Sequence, residues 1–104
     1  MDTGIGSLVN DKIIRERARL LILTYLASSD VKAVPFSEIK DALEFTAGNL
    51  SIQLKTLMEA RYISITKEFK FNKPLTRAFI TARGSVALKR YIGEMDSLIK
   101  GLRK

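Results

Sequence analysis

The chain has 104 residues and is 46% hydrophobic, enough for a single domain with a modest core. Eighteen Lys and Arg against eleven Asp and Glu leave a net charge of +7, which favours nucleic acid or an anionic membrane over an acidic substrate. Cys and His are both absent, which excludes thiol chemistry, disulfides, imidazole acid–base work and zinc sites built on nitrogen or sulfur; no cofactor is expected.

No secretory leader pattern opens the chain, and the longest apolar run, "LLIL" at 20–23, is far too short to cross a bilayer. A cytoplasmic protein with no membrane partner is therefore expected. Residues 1–9, "MDTGIGSLV", are Gly-rich, and their "GIG" lacks the preceding strand that a phosphate loop needs. A first helix is predicted from a cap at Asn10 or Asp11 to about Ser28. Within it Ile14, Ala18, Leu21, Ile22, Tyr25 and Leu26 recur at helical spacing. "SSDVKAVP" breaks that pattern, and Pro35 disfavours helical geometry at Val34.

Ser37 is positioned to cap a short second helix, "EIKDALE", with Ile39 and Leu43 facing inward four residues apart. "FTAG" reads as a turn, and Thr46 as the cap of a third helix running to about Ala60. "YISITKEF" alternates and is rich in β-branched and aromatic residues, as a strand should be. "KFNKPL" is expected to form a polar turn, "TRAFIT" a second short strand, and Thr81 the cap of a long helix from Ala82 to about Leu102. A further short strand in "KAVPF", limited by Pro35, is positioned to pair with the hairpin. The order helix, helix, helix, strand, turn, strand, helix is mainly α with a small β hairpin (α+β). It is the layout of a winged helix-turn-helix, here one domain over residues 1–104.

The third helix has two unlike faces. With about 100° per residue, Leu54 and Leu57 fall within about 40° of Leu50 and form a core stripe. The opposite side collects Gly48, Ile52, Lys55, Thr56 and Glu59, edged by Asn49 and Ser51. A glycine in a first turn costs about 1 kcal/mol relative to alanine, which is explained if another backbone must approach there. Ser51, Asn49 and Lys55 suit base edges or phosphate, and Ile52 a thymine methyl. First-turn N–H groups also suit a phosphate. A solvated face is the competing reading, but it accounts for neither the glycine nor the isoleucine.

The run "FSEIKDAL", then "FTAGNLSIQLKTLMEA", "YI", "K-x-F", "K-P-x-T" and "ITARG" resembles the MarR/ArsR-like winged-helix transcriptional regulators. The likeness is to short archaeal and bacterial members with a "T-x-G-N-L-S-x-H-L" recognition helix, and it covers about residues 15 to 100. The resemblance implies that Ser37 opens the supporting helix. It also implies that Thr46, Gly48, Asn49, Ser51, Ile52 and Lys55 line the major-groove side of the recognition helix. Lys70, Asn72, Lys73 and Arg77 would belong to a wing that touches phosphate or the minor groove. Such proteins are usually dimers that repress or activate transcription. Gln53 stands where the family often has histidine, altering any polar contact there. Arg61 stands where a glycine usually ends the helix: either the helix ends differently, or Arg61 bears the strain of a left-handed cap for a phosphate contact.

The residues of the hairpin support the wing reading, since Lys67, Lys70, Lys73 and Arg77 face a single acid, Glu68. In the last helix Leu88, Tyr91, Met95, Leu98 and Leu102 are spaced 3, 4, 3, 4, a coiled-coil seam widened by Ile92 and Ile99. Residues 82–102 are thus expected to form a dimerisation helix, with Ile13 and Ile14 at the start of the first helix as the docking place. The partners expected are double-stranded DNA and a second copy of the chain. Regulation by a small molecule at the dimer interface and regulation by abundance are both compatible with the sequence. The Ser-x-x-Lys spacings in "SEIK" and "SLIK" have no companion motif, so no enzyme is expected. The alternative is a winged-helix module that binds protein instead of DNA.

Overall fold

The structure, a computed structural model, describes residues 11–102. The elements are α1 (Arg17–Ser28), β1 (Val34–Pro35), α2 (Phe36–Leu43), α3 (Ala47–Glu59), β2 (Ile63–Lys70), β3 (Lys73–Ile80) and α4 (Ala82–Leu102). The strands form one antiparallel sheet in the order β1-β3-β2. This is the expected winged layout, with the short β1 strand pairing Val34 with Ala78 and Pro35 with Arg77.

α1 starts later than the expected cap at Asn10 or Asp11; Asn10 lies outside the described residues. Asp11 closes one separate turn, its Oδ1 accepting from the Ile14 N–H at 3.1 Å and its carbonyl from the Arg15 N–H at 3.1 Å. The physical reason lies in Arg19. Its guanidinium donates to the carbonyls of Ile13 (2.8 Å) and Lys12 (3.3 Å), which a continuous helix would offer to its own backbone. Glu16 then caps α1, its carboxylate accepting from the N–H groups of Ala18 (2.7 Å) and Arg19 (3.3 Å).

α2 also differs from expectation. It begins at Phe36, directly after Pro35, without a side-chain cap, so Ser37 lies inside the first turn. Pro35 has φ −60° and ψ 144°, extended geometry that serves β1 and hands the chain straight to the helix. Thr46 caps α3 as predicted, its hydroxyl accepting from the Asn49 N–H at 3.1 Å. α3 ends with Arg61 at φ 66°. The Arg61 N–H donates to Met58 O (2.9 Å) and the Tyr62 N–H to Leu57 O (3.0 Å), the paired bonds of a Schellman ending. Arg61 therefore bears the left-handed cap.

The hairpin turn is tighter than "KFNKPL" suggested. Lys70 pairs with Lys73, so the loop is Phe71 and Asn72 alone, with φ of 53° and 61°. Two positive values define a type I′ turn, whose twist matches the strands. Pro74 stays in β3 because β1 pairs only with Arg77 and Ala78, leaving β3 an open edge at Pro74 where no N–H is needed.

Thr81 joins the hairpin to α4. Its hydroxyl donates to Arg61 O (2.7 Å) and accepts from the Gly84 N–H (3.0 Å). A Cβ on Gly84 would lie 2.1 Å from Tyr62 O, so only glycine lets the helix start this close to β2.

The core is where these elements meet. Ile22, Leu23 and Leu26 of α1, Ile39 of α2, Leu50, Leu54 and Leu57 of α3, and Ile63 and Ala78 of the sheet are all buried. The expected dimer seam divides here. Ile14, Leu88 and Tyr91 belong to the chain's own core and offer no surface to a partner, while Ile13 and Met95 pack half-buried against it. From Asp96 to Leu102 every residue is exposed, and Ile92, Leu98, Ile99 and Leu102 present their apolar side chains outward. Among the described residues no helix is long and apolar enough to cross a membrane.

Candidate nucleic-acid interface

α3 places Leu50, Leu54 and Leu57 in the core, and its other face emerges whole. Thr46, Gly48, Asn49, Ser51, Ile52 and Lys55 are all exposed, with Ile52 at 64%. A Cβ at Gly48 would meet nothing within 4 Å, so the fold itself does not require glycine there. Thr56 is turned partly inward, its hydroxyl donating to Ile52 O at 3.3 Å.

Gln53 does not belong to the outward set. It is half-buried, its Oε1 accepting from Arg19 Nη1 at 2.9 Å while its Nε2 donates to Asn49 Oδ1 at 3.2 Å. Arg19 can only donate, so it fixes which way the Gln53 amide points. Gln53 in turn occupies the oxygen of Asn49, leaving the Asn49 amide N–H groups as donors. The sequence placed Asn49 on this face but gave no sign that Arg19, 34 positions from Gln53, orients it through that amide.

Beside α3 runs a groove of about 620 Å³. It is lined by Phe36 and Ser37 of α2, by Ser51, Leu54, Lys55 and Met58 of α3, and by Ile65, Lys67, Pro74, Leu75 and Thr76 of the hairpin. Side chains alternate along a strand and directly opposed residues share a face. Lys67 and Thr76 therefore share the face of buried Ile63 and Ala78, towards α3. Arg77 lies on the reverse face, where its Nη1 pairs with Glu68 Oε1 at 2.7 Å. The expected wing set thus separates: Lys70, Asn72 and Lys73 are exposed at the tip, Arg77 is neutralised behind it, and Lys67 joins the groove. Among the described residues no carboxylate pairs with Lys55, Lys67, Lys70 or Lys73.

Two tyrosines tie the scaffold behind this face. The Tyr25 hydroxyl donates to Glu38 Oε2 at 2.6 Å, linking α1 to α2, and that bond raises its pKa above the usual 10. The Tyr62 hydroxyl donates to Asp11 Oδ2 at 3.3 Å, and burial, then the Asp11 charge, push its pKa up too.

A supporting helix, a turn, a second helix with one face bare, and an adjoining basic hairpin define a winged helix-turn-helix protein. The chain belongs to the winged helix DNA-binding domain family, whose model matches residues 18–99. It is 33% identical over 91 residues, 88% of this chain and 97% of the other, to the uncharacterized protein MJ0432 of Methanocaldococcus jannaschii. Among solved structures it superposes on a transcriptional regulator homologue from Pyrococcus horikoshii with a TM-score of 0.84 at 24% identity, covering 97% of this chain and 98% of that one. A MepR mutant from S. aureus gives 0.69 at 16% identity over 93% and 72%. MepR is a MarR-family protein, so the fold is that of the expected regulators.

Proposed function

We propose that the chain is a homodimeric, sequence-specific DNA-binding regulator of transcription, with α3 in the major groove and the hairpin against the backbone or minor groove. One observation carries the reading. The uncovered face of α3 combines a glycine that the fold does not need, donors on Asn49 and Ser51, a cation on Lys55 and an exposed aliphatic on Ile52. A protein-binding helix would present a mainly apolar face here, as in helix-in-groove recognition. A merely solvated helix would carry lysine or glutamate in place of Ile52.

Ser51, Ile52 and Lys55 face base edges in this reading, with Asn49 held by Gln53. Ser37, Thr46 and Lys67 flank the phosphates beside the groove, and Lys70, Asn72 and Lys73 meet the next backbone stretch. Arg77 acts only if its bond to Glu68 opens. Two copies joined through Ile92, Met95, Leu98, Ile99 and Leu102, with Ile13 beside the seam, would present their α3 helices to successive major grooves about 34–36 Å apart. The direct test is selection of bound duplexes from a random pool with the purified protein, followed by footprinting. A two-fold repeated half-site is expected. A pool that shows no enrichment overturns sequence-specific binding, and a single unrepeated half-site at saturation overturns the two-fold arrangement.

A further inference from the structure

The wing tip breaks three local rules at once. Phe71 occupies the first loop position of a type I′ turn at φ 53°, a left-handed conformation that suits glycine or asparagine and is an outlier for an aromatic. Lys70 and Lys73 stand directly opposite each other, like charges on one cross-strand pair. Phe69 and Phe71 are 79% and 90% exposed, although burial is what aromatic rings gain most from. Among the described residues, no burial of either ring offsets these choices, and Phe69 has only Pro74 directly opposite it across the hairpin. Local conflicts of this kind are expected where a surface serves a partner.

The partner must accept cations and apolar rings in the same small space. The two rings are set among Lys67, Lys70 and Lys73, which have no carboxylate partners among the described residues, and they lie on the hairpin that walls the α3 groove. A DNA minor groove meets both demands: phosphates lie along its rims, and an apolar wedge that pries open a base step from its floor reaches the faces of the base pairs. We infer that Phe71 is an apolar wedge that enters the minor groove and partly unstacks one base step, with Phe69 packed behind it on the sugar edge. Lys70 and Lys73 then hold the two flanking phosphate rows. The inference rests on the DNA-binding reading above and adds to it a deformation of the duplex. Pyrimidine–purine steps yield most easily, so the wing would favour TA or CA steps without a hydrogen bond to any base.

The discriminating variant is Phe71→Asn, because asparagine suits the turn better than phenylalanine. Wild type and variant are compared on a short A·T-rich duplex at low salt, with 2-aminopurine replacing adenine at its TA steps. For wild type, binding is expected to raise the 2-aminopurine fluorescence at one step. For the variant, a melting temperature at least as high as wild type, affinity about tenfold weaker and no fluorescence rise are expected. The slope of log affinity against log salt should stay unchanged, because no cation has been removed. Wild-type binding with no fluorescence change, or a variant that binds and unstacks like wild type, overturns the wedge while leaving DNA binding intact. Failure of the wild type to bind the duplex at all overturns the DNA-binding reading, and the wedge with it.

Discussion

Among the described residues, the exposed surface at α3 and the hairpin and the one on the last turns of α4 treat charge in opposite ways. At the first, Lys55, Lys67, Lys70 and Lys73 have no carboxylate partners among the described residues, and Ile52 is an exposed aliphatic among polar groups. At the second, Ile92, Leu98, Ile99 and Leu102 make an aliphatic stripe. Beside it the charges are matched, Lys100 with Asp96 at 3.0 Å and Arg90 with Glu94 at 3.9 Å. Exposed i,i+4 pairs add only about 0.3–0.5 kcal/mol each, so their main consequence is neutrality. An aliphatic stripe beside neutralised charges suits a copy of itself, whereas unmatched cations suit an anion. Two surfaces on one small chain thus point to two different partners.

The largest effect should come from breaking the second surface. Leu98 is 38% exposed in the single chain, so Leu98→Lys should leave the domain folded. In a dimer it would bury an unpaired charge at a cost of several kcal/mol. Sedimentation should then show a folded monomer, and tight DNA binding should be lost with the second recognition helix. An unchanged dimer would mean that the tail of α4 serves another purpose.

Next comes the joint between the surfaces. In Gly84→Ala the new Cβ would sit 2.1 Å from the Tyr62 carbonyl, a backbone atom with no side-chain freedom to retreat. α4 would have to move off β2, at a cost of about 3 kcal/mol. Urea denaturation should show a clearly lower midpoint with the same slope. An unchanged midpoint would mean that the two surfaces are joined less tightly than the geometry requires.

How much of this was legible in the sequence depended on whether the signal was local. The caps at Thr46 and Thr81, the Leu50–Leu54–Leu57 stripe and the β-branched and aromatic content of the strands obey rules that act within a few residues, and those elements formed, although burial along β2 fades towards the tip instead of alternating. The start of α1 did not, because Arg19 takes the Lys12 and Ile13 carbonyls through a side chain whose rotamer no propensity records. The tip of the hairpin was misread because Phe71 and Asn72 are a poor type I′ pair. The register is set instead from the base, where Ile63 meets Ile80 and Ile65 meets Ala78. The α4 seam is divided by the fold. A 3, 4 spacing reports an apolar stripe but not who covers it, and Leu88 and Tyr91 are covered by their own domain. Of the interface residues, the α3 set emerged on one exposed face, while Arg77 was lost to Glu68, an ion pair visible only once the register is known.

Within the first surface, the contrast can be sharpened by two alanine substitutions. Ile52→Ala should cost about 1–3 kcal/mol on the preferred duplex, the scale of one lost base contact, and little on a scrambled one. Lys73→Ala should weaken both duplexes about equally and lower the salt slope by about one unit. Titrations of both duplexes at several salt concentrations separate the two. If Ile52→Ala weakened both alike, α3 would not be reading bases at that position.

The smallest effect concerns Arg61, an exposed cation whose side chain has no carboxylate partner among the described residues. Its φ of 66° closes the Schellman ending of α3, a conformation that costs a residue with a Cβ roughly 1 kcal/mol or more. Arg61→Gly removes that strain, although the looser unfolded chain offsets part of the gain. A net stabilisation of about 0.5 kcal/mol is expected, which for a domain of this size raises the melting temperature by about 2–4 °C. If unmatched cations near α3 mark phosphates, the same variant should bind specific and scrambled duplexes more weakly and lose about one unit of salt slope. A more stable protein that binds DNA less well would show that the strain is kept for contact with the backbone. A lower melting temperature would refute the strain, and an unchanged salt slope would remove Arg61 from the DNA-facing surface and confine that surface to the groove and the wing.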